Sequence, residues 1–296
     1  MEGTHTVMDE SKRGALVERL TEFVRQRITQ GTLVLPPMPV AAFDCLELLR
    51  QPDFSMREAA RVIEQDPSLA ARVLSVSNSA VFGRREKARN IVQAATRLGG
   101  NNLRVVLFDA VAVPIFESND ARLRQTCNVL WQHARAVAAG ARLAALVASA
   151  GDPGEAYLGG LLHDIGKPVV AALLIQAERR LAGSGGDFWL EPENWLQVVG
   201  NAHRPVGVSL AQRWKLPESV IHAIGNCVTY DGVERCSIVN CVRLANALAK
   251  QAGIYVGPVD ERDVAETVRA GQSMLGVSDA DLGALRAAMC EPAASG

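Results

Sequence analysis

An imidazole and a carboxylate stand side by side at His163-Asp164, within the run Gly159-Gly-Leu-Leu-His-Asp-Ile-Gly-Lys167. At a helix end both groups can reach one divalent ion, and an ion held in this way can activate water for phosphoester hydrolysis. Neighbouring His and Asp arise readily by chance, so the pair needs company. Two further histidines supply it. His133 follows Trp131 and is expected to begin a helix carrying Val137, Ala141 and Ala144. His203 lies where Gly200, His203, Gly207, Leu210 and Trp214 recur at three- and four-residue steps, so these share one helix face and the glycines admit another helix close to the imidazole. Pro205 is expected to kink or restart that helix. Each histidine also has an ordinary structural explanation: His133 as a helix-face residue bonded to a backbone carbonyl, His203 as a packed polar group. The stretch is not a nucleotide phosphate loop, because five residues separate Gly160 from Gly166-Lys167 and Pro168 stands where Ser or Thr is required. Lys167 reads as a phosphate contact or as a cation at a helix end.

The elements that carry these residues are helical. Leu16, Leu20, Phe23, Val24 and Ile28 recur at helical spacing, with Gly31 placed to end the helix. Leu35-Pro-Pro-Met-Pro39 forces an extended stretch, and a second helix follows from about Val40 to Arg50. Ser55 with Glu58 forms a capping-box pattern, and Asp66-Pro67 places an N-cap residue before a proline suited to the first turn. Leu282, Leu285 and Met289 predict a last amphipathic helix capped by Ser278. Apolar-polar alternation between hairpin turns is missing, and aromatic residues make up only 5%. The fold class is therefore all-α.

The chain of 296 residues is long enough for one large core or two modest ones. Thirty-one basic against 32 acidic side chains leave a formal charge of −1, which excludes coating of nucleic acid or anionic lipid by bulk charge. Cys45, Cys127, Cys227, Cys236, Cys241 and Cys290 form no CxxC pair, so neither a disulfide framework nor a zinc ribbon is expected and a reducing cytoplasm suits them. The first thirteen residues lack the apolar core of a signal peptide, and Ala136 to Ala150 is interrupted by Arg142, so no segment reads as a membrane span.

Several of these motifs, in this order, resemble a known family. Trp131-x-His133, His163-Asp164, His203, Trp214-x-Leu216-Pro217 and Ile221-x-Ala223-Ile224 are similar to the HD superfamily of metal-dependent phosphohydrolases. Leu35-Pro-Pro-Met-Pro39, Asp66-Pro-Ser-Leu-Ala70, Val73-Leu-Ser-Val-Ser-Asn-Ser79 and Ala95-x-Arg97-Leu-Gly99 narrow the resemblance to the HDOD domain, the HD-related output domain. It covers about residues 33–250. It implies an N-terminal helical subdomain (33–122) packed on an HD-like helical bundle (123–250). An amphipathic helical extension (1–32) precedes them and an acidic helical extension (251–296) follows.

The resemblance implies a role in bacterial signalling, acting without catalysis through a protein partner or a bound small ligand. It places His133, His163, Asp164 and His203 at the superfamily's ligand positions, where iron, zinc or manganese would bind if any cofactor does. Cys227 and Asn246 stand where a later histidine and the closing aspartate belong. An amide binds a hard ion more weakly than a carboxylate and offers no base, while Cys227 reads as a soft ligand or as a small core residue. His222 falls outside the matched positions and reads as solvated or packed.

Two alternatives follow from the same residues. One is a residual HD-type phosphohydrolase, acting on a nucleotide or phosphoester with the same four side chains. The other is a DNA-binding regulator, since residues 56–79 form two short helices beside the basic run Arg84-Arg-Glu-Lys-Ala-Arg89. Against DNA reading, the second helix offers only Arg72 as a strong reader, where base recognition needs several polar side chains. The first and last helices are candidate surfaces for a signalling partner or a homodimer. Neither a membrane nor nucleic acid is an expected partner.

Overall fold

The computed structural model describes residues 10–32, 38–51, 53–80, 82, 86–118, 120–182 and 192–290. Leu35, Pro36, Pro37, Arg84, Arg85 and the Gly183–Gly186 loop lie outside them. The described residues form α-helices and one 3-10 turn, with no strand among them. The helices are α1 Glu10–Thr29, α2 Val40–Leu48, α3 Met56–Ile63, α4 Pro67–Ser77, α5 Ile91–Ala112, α6 Ala121–Ala148, α7 Pro153–Leu162, α8 Gly166–Ala182, α9 Pro192–Arg213, α10 Glu218–Asn226, α11 Ile238–Gln251, α12 Glu261–Leu275 and α13 Asp279–Cys290.

Local chemistry sets the boundaries much as the sequence indicates. Ser55 Oγ accepts from Glu58 N at 3.1 Å, and Ser55 N donates to Glu58 Oε2 at 3.3 Å, closing the box ahead of α3. Asp66 Oδ1 accepts from Ser68 N and Leu69 N at 2.9 and 3.1 Å, with Pro67 in the first turn of α4. Ser278 Oγ accepts from Asp281 N at 3.2 Å at the head of α13, whose Leu282, Leu285 and Met289 are buried. In α1 the face turned inward is Val17, Thr21 and Val24, whereas Phe23 is 40% exposed with the Arg27 guanidinium over its ring. That aromatic belongs to the solvent side, where a cation covers it.

Between α4 and α5 the chain is fastened by side chains. Asn78 accepts from Ala88 N at 2.7 Å and donates to Ala88 O at 3.0 Å, substituting for a backbone pair. Arg97 donates to Ser77 O, Asn78 Oδ1 and Glu86 O at 3.2, 3.0 and 2.7 Å. Gly99 then takes φ 72°, ψ 167°, so α5 is two helical pieces joined across a kink that a side chain would resist.

One apolar cluster runs from α1–α5 into α7–α10, and a second unites α6, α11, α12 and α13. Two stretches, Ile91–Ile115 and Pro153–Ala177, are long and apolar enough to cross a membrane by composition, contrary to the sequence expectation. The second is 83% buried inside the protein and is broken by the α7–α8 turn, which carries His163 and Asp164. The first is broken at Gly99.

Candidate metal centre

Close helix contacts bring the three histidines together. Gly160 on α7 faces α6 so closely that a Cβ there would sit 2.7 Å from Ala138 Cα, which draws the end of α7 onto the helix carrying His133. Gly166, the first residue of α8, lies against α9: a Cβ would fall 1.9 Å from His203 O. The turn between α7 and α8 thus holds His163 and Asp164 between α6 and α9. His133 lies within the 28-residue α6 rather than at its start. Helix α9 also runs unbroken through Pro205, contrary to the expected kink. The carbonyl that Pro205 leaves without its helical donor is that of Asn201, an exposed residue where water can serve. Gly200 differs from the close-approach role read for it, since a Cβ there would meet nothing within 4 Å.

All three imidazoles are anchored by the same nitrogen. His133 Nδ1 lies 2.6 Å from Ile254 O, His163 Nδ1 2.7 Å from Gly160 O, and His203 Nδ1 2.8 Å from Gly200 O and 2.9 Å from Val199 O. A carbonyl only accepts, so each Nδ1 carries a proton and each ring turns its Nε2 the other way. The Nε2 atoms converge. His133 Nε2 and His163 Nε2 are 3.3 Å apart, and they stand 3.7 and 3.2 Å from Asp164 Oδ2. His203 Nε2 faces the other oxygen, Asp164 Oδ1, at 3.4 Å. His133, His163 and Asp164 are each 2% exposed or less, and a carboxylate enclosed to that degree requires positive charge beside it. Bonds of about 2.1 Å to a tetrahedral ion place neighbouring ligand atoms roughly 3.4 Å apart, so this donor set fits one divalent ion. His133, His163 and Asp164 form the tight group, and His203 stands outside it.

One positive charge is built in. Lys167 Nζ lies 2.6 Å from Asp164 Oδ2, on the same oxygen that faces His133 and His163. Burial alone would raise the Asp164 carboxyl, but His163 and Lys167 hold it well below the usual carboxylate range. Burial, reinforced by His163, pushes the His133 imidazole down to about 3, so it stays neutral and available as a ligand. Tyr255 closes this end of the site, its ring centroid 5.3 Å from that of His133, 5.0 Å from Lys167 Nζ and 4.7 Å from Lys250 Nζ.

Among the described residues the tight group does not include Cys227. Cys227 is buried in the core, and its Sγ accepts from Arg204 Nη1 at 3.0 Å. Burial pushes that thiol up, with Arg204 opposing. Asn246 Oδ1 is buried and, among the described residues, has no hydrogen-bond partner. His222 is exposed. Arg72, the single strong reader of the DNA alternative, has its Nε buried and lies near the Asp109 carboxyl inside the protein. Sequence reading missed the segment around Tyr255. Its signal is faint: one of three tyrosines in the chain, set between Gly253 and Gly257, both with positive φ.

A model of the HDOD domain matches residues 35–228. A protein of Treponema pallidum (strain Nichols) is 28% identical over 204 residues; the match covers 64% of this chain but only 37% of that protein's length. Among solved structures, a protein of Shewanella amazonensis SB2B, provisionally described as a metal-dependent phosphohydrolase, superimposes with a TM-score of 0.70 at 20% identity, covering 92% of this chain and 99% of that one. An HDOD domain protein from Geobacter sulfurreducens gives 0.64 at 23% identity, over 93% and 98% of the two chains. A protein of Marinobacter aquaeolei VT8, provisionally described as a signal transduction protein, gives 0.54 at 22% identity, over 94% and 66%. At these identities the structural likeness speaks for the fold.

Proposed function

The chain belongs to the HDOD domain family, and on that premise we propose that it is a regulatory module of a bacterial signalling system that does not hydrolyse phosphoesters. It passes its input on through contacts with a signalling protein or through a bound small ligand. One observation carries this reading: the Lys167 ammonium sits on Asp164 Oδ2 and already meets the charge of the one carboxylate in the cluster. A fixed ammonium there repels a second cation. Cys227 and Asn246, where further ligands would stand, add no anionic oxygen. The Marinobacter neighbour's description as a signal transduction protein accords with this. Six free cysteines suit a cytoplasmic setting.

A single ion remains compatible with the site. His133, His163 and Asp164 would hold it, with His203 on the far carboxylate oxygen, and iron, zinc or manganese matches the nitrogen-rich set. Such an ion would supply a Lewis acid and a fixed positive charge. The chain's own residues orient the ligands through the Ile254, Gly160 and Gly200 carbonyls and keep His133 neutral.

The converging Nε2 atoms favour a second reading, a phosphohydrolase working with that one ion. Elemental mass spectrometry of untagged protein, with a bis(p-nitrophenyl) phosphate assay in manganese, separates the two. The regulatory reading expects no turnover in the wild type, whether or not metal is present. Turnover that disappears in a folded His163→Ala, Asp164→Ala variant would establish the hydrolase instead.

A further inference from the structure

Beside the His–Asp cluster lies a pocket of about 490 Å³, formed by α6, α8, α9 and the loop after α11. Its volume is in the range that holds a small organic molecule. Leu130, Ile175, Trp195, Val199 and Val256 make its walls apolar. Among the described residues the polar side chains of the lining are Thr126, Lys167, Trp195 and Tyr255. Recognition of a base edge or a polyphosphate needs amides, guanidinium groups or several cations, and among the described residues the lining offers one ammonium. A single cation at one end of an apolar slot matches a carboxylate attached to a hydrocarbon or aromatic body. Lys167 carries three N–H donors, and among the described residues its hydrogen-bond partner is Asp164 alone, so donors remain for a second carboxylate.

The pocket wall is joined to the cluster through one short segment. Ile254 O holds His133 Nδ1 at 2.6 Å, and the next residue, Tyr255, both lines the pocket and packs edge-on against the His133 ring. Val256 and Gly257 continue the same wall. The segment that walls the pocket is thus the one that touches His133 at both its ring and its Nδ1.

We infer that this pocket binds a small amphipathic carboxylate, its apolar body along Leu130, Ile175 and Val199 and its carboxylate on Lys167, and that Ile254–Tyr255 relays occupancy to His133. The binding stands on the pocket's own geometry; its role as the input rests on the regulatory reading above.

Titration calorimetry with decanoate tests it, with 1-decanol and acetate as controls lacking the charge or the chain. Decanoate is expected to bind about tenfold or more tightly than decanol, and acetate not at all. Gly200 lines the pocket and a Cβ there meets no atom within 4 Å, so Gly200→Leu fills the space while the helix is kept. That variant is expected to melt no lower than the wild type and to weaken decanoate about tenfold or more. Equal affinity for decanoate and decanol overturns the assignment to Lys167. Undiminished binding to a folded Gly200→Leu protein overturns the pocket. Neither result touches the hydrolysis assay, so failure here and failure of the regulatory reading are told apart.

Discussion

Lys167 reaches back three residues across the α7–α8 turn to place its ammonium 2.6 Å from Asp164 Oδ2, with the two side chains 12% and 3% exposed. Each charge is enclosed with the other as its nearest opposite. Removing one partner leaves the other buried and uncompensated, which costs about 3–5 kcal/mol. Asp164→Ala and Lys167→Met should each lose stability on that scale in urea unfolding, and Asp164→Asn with Lys167→Met should recover most of it. Manganese or zinc should restore Lys167→Met in part, since an ion can take the ammonium's place beside the His133 and His163 nitrogens. A Lys167→Met protein as stable as wild type without metal would show that the pair contributes little.

Two buried groups respond to acid in opposite senses. Burial pushes His133 down to about 3, so as pH falls below about 6.5 the unfolded chain takes up a proton that the folded one refuses. The contribution of His133 is fully present above that pH and is lost progressively below it. Burial pushes Asp109 up to about 6, against the opposing hydrogen bond from Tyr157 and the charges of Arg135 and Arg72. Here the folded chain holds its proton more tightly, so stability is gained as pH falls from about 6 toward about 4. Each slope is about 1.4 kcal/mol per pH unit, and over that window they cancel. In chelator-treated protein, Asp109→Asn keeps an acceptor for Tyr157 but removes the compensating group. Its urea midpoint should fall between pH 6 and 4 while the wild type's stays nearly level. Parallel profiles would mean that the folded Asp109 carboxyl stays ionised down to about pH 4, as it does in the unfolded chain.

The all-helical class and the α3, α4 and α13 caps were legible because each rests on side chains within four residues of the backbone groups they serve. The order of His133, His163-Asp164 and His203 was legible too, as a resemblance. What the sequence could not show was which atoms meet. Lys167 reads equally well as a phosphate contact or a helix-end cation until the α7–α8 turn brings it back onto Asp164. Tyr255 and Ile254 O reach His133 across more than a hundred residues, and no periodicity records such a contact. Phe23 fitted the helical spacing of a buried stripe, yet Arg27 one turn on lets it remain outside. Gly200 looked like its neighbour Gly207; only the packing reveals that one faces open space and the other Ile224 Cγ2 at 3.0 Å from a would-be Cβ.

The Asn78–Arg97 fastening explains why Asn and Arg stand in motifs that carry no chemistry. Asn78 exchanges two hydrogen bonds with Ala88, and Arg97 binds Asn78 along with two carbonyls. Because the bonds share partners, their loss should be strongly non-additive. Asn78→Ala and Arg97→Ala should each cost about 2–3 kcal/mol in urea unfolding, and the double variant little more than the worse single one. Fully additive losses would show that the two side chains act separately.

Helical glycines offer a sharper test of how the metal centre is assembled. At Gly166 a Cβ would fall 1.9 Å from His203 O, a backbone atom that cannot swing aside, so Gly166→Ala must push α8 away from α9. That movement separates Asp164 from His203 and should cost about 3 kcal/mol, with loss of any metal the wild type retains. At Gly200 on the same α9, a Cβ meets nothing within 4 Å. Alanine there should instead stabilise by about 0.5–1 kcal/mol, because glycine loses more backbone freedom in a helix. Thermal unfolding and elemental analysis of the two single variants read both effects. Gly166→Ala with wild-type stability and metal content would mean that the α8–α9 contact does not hold the site together.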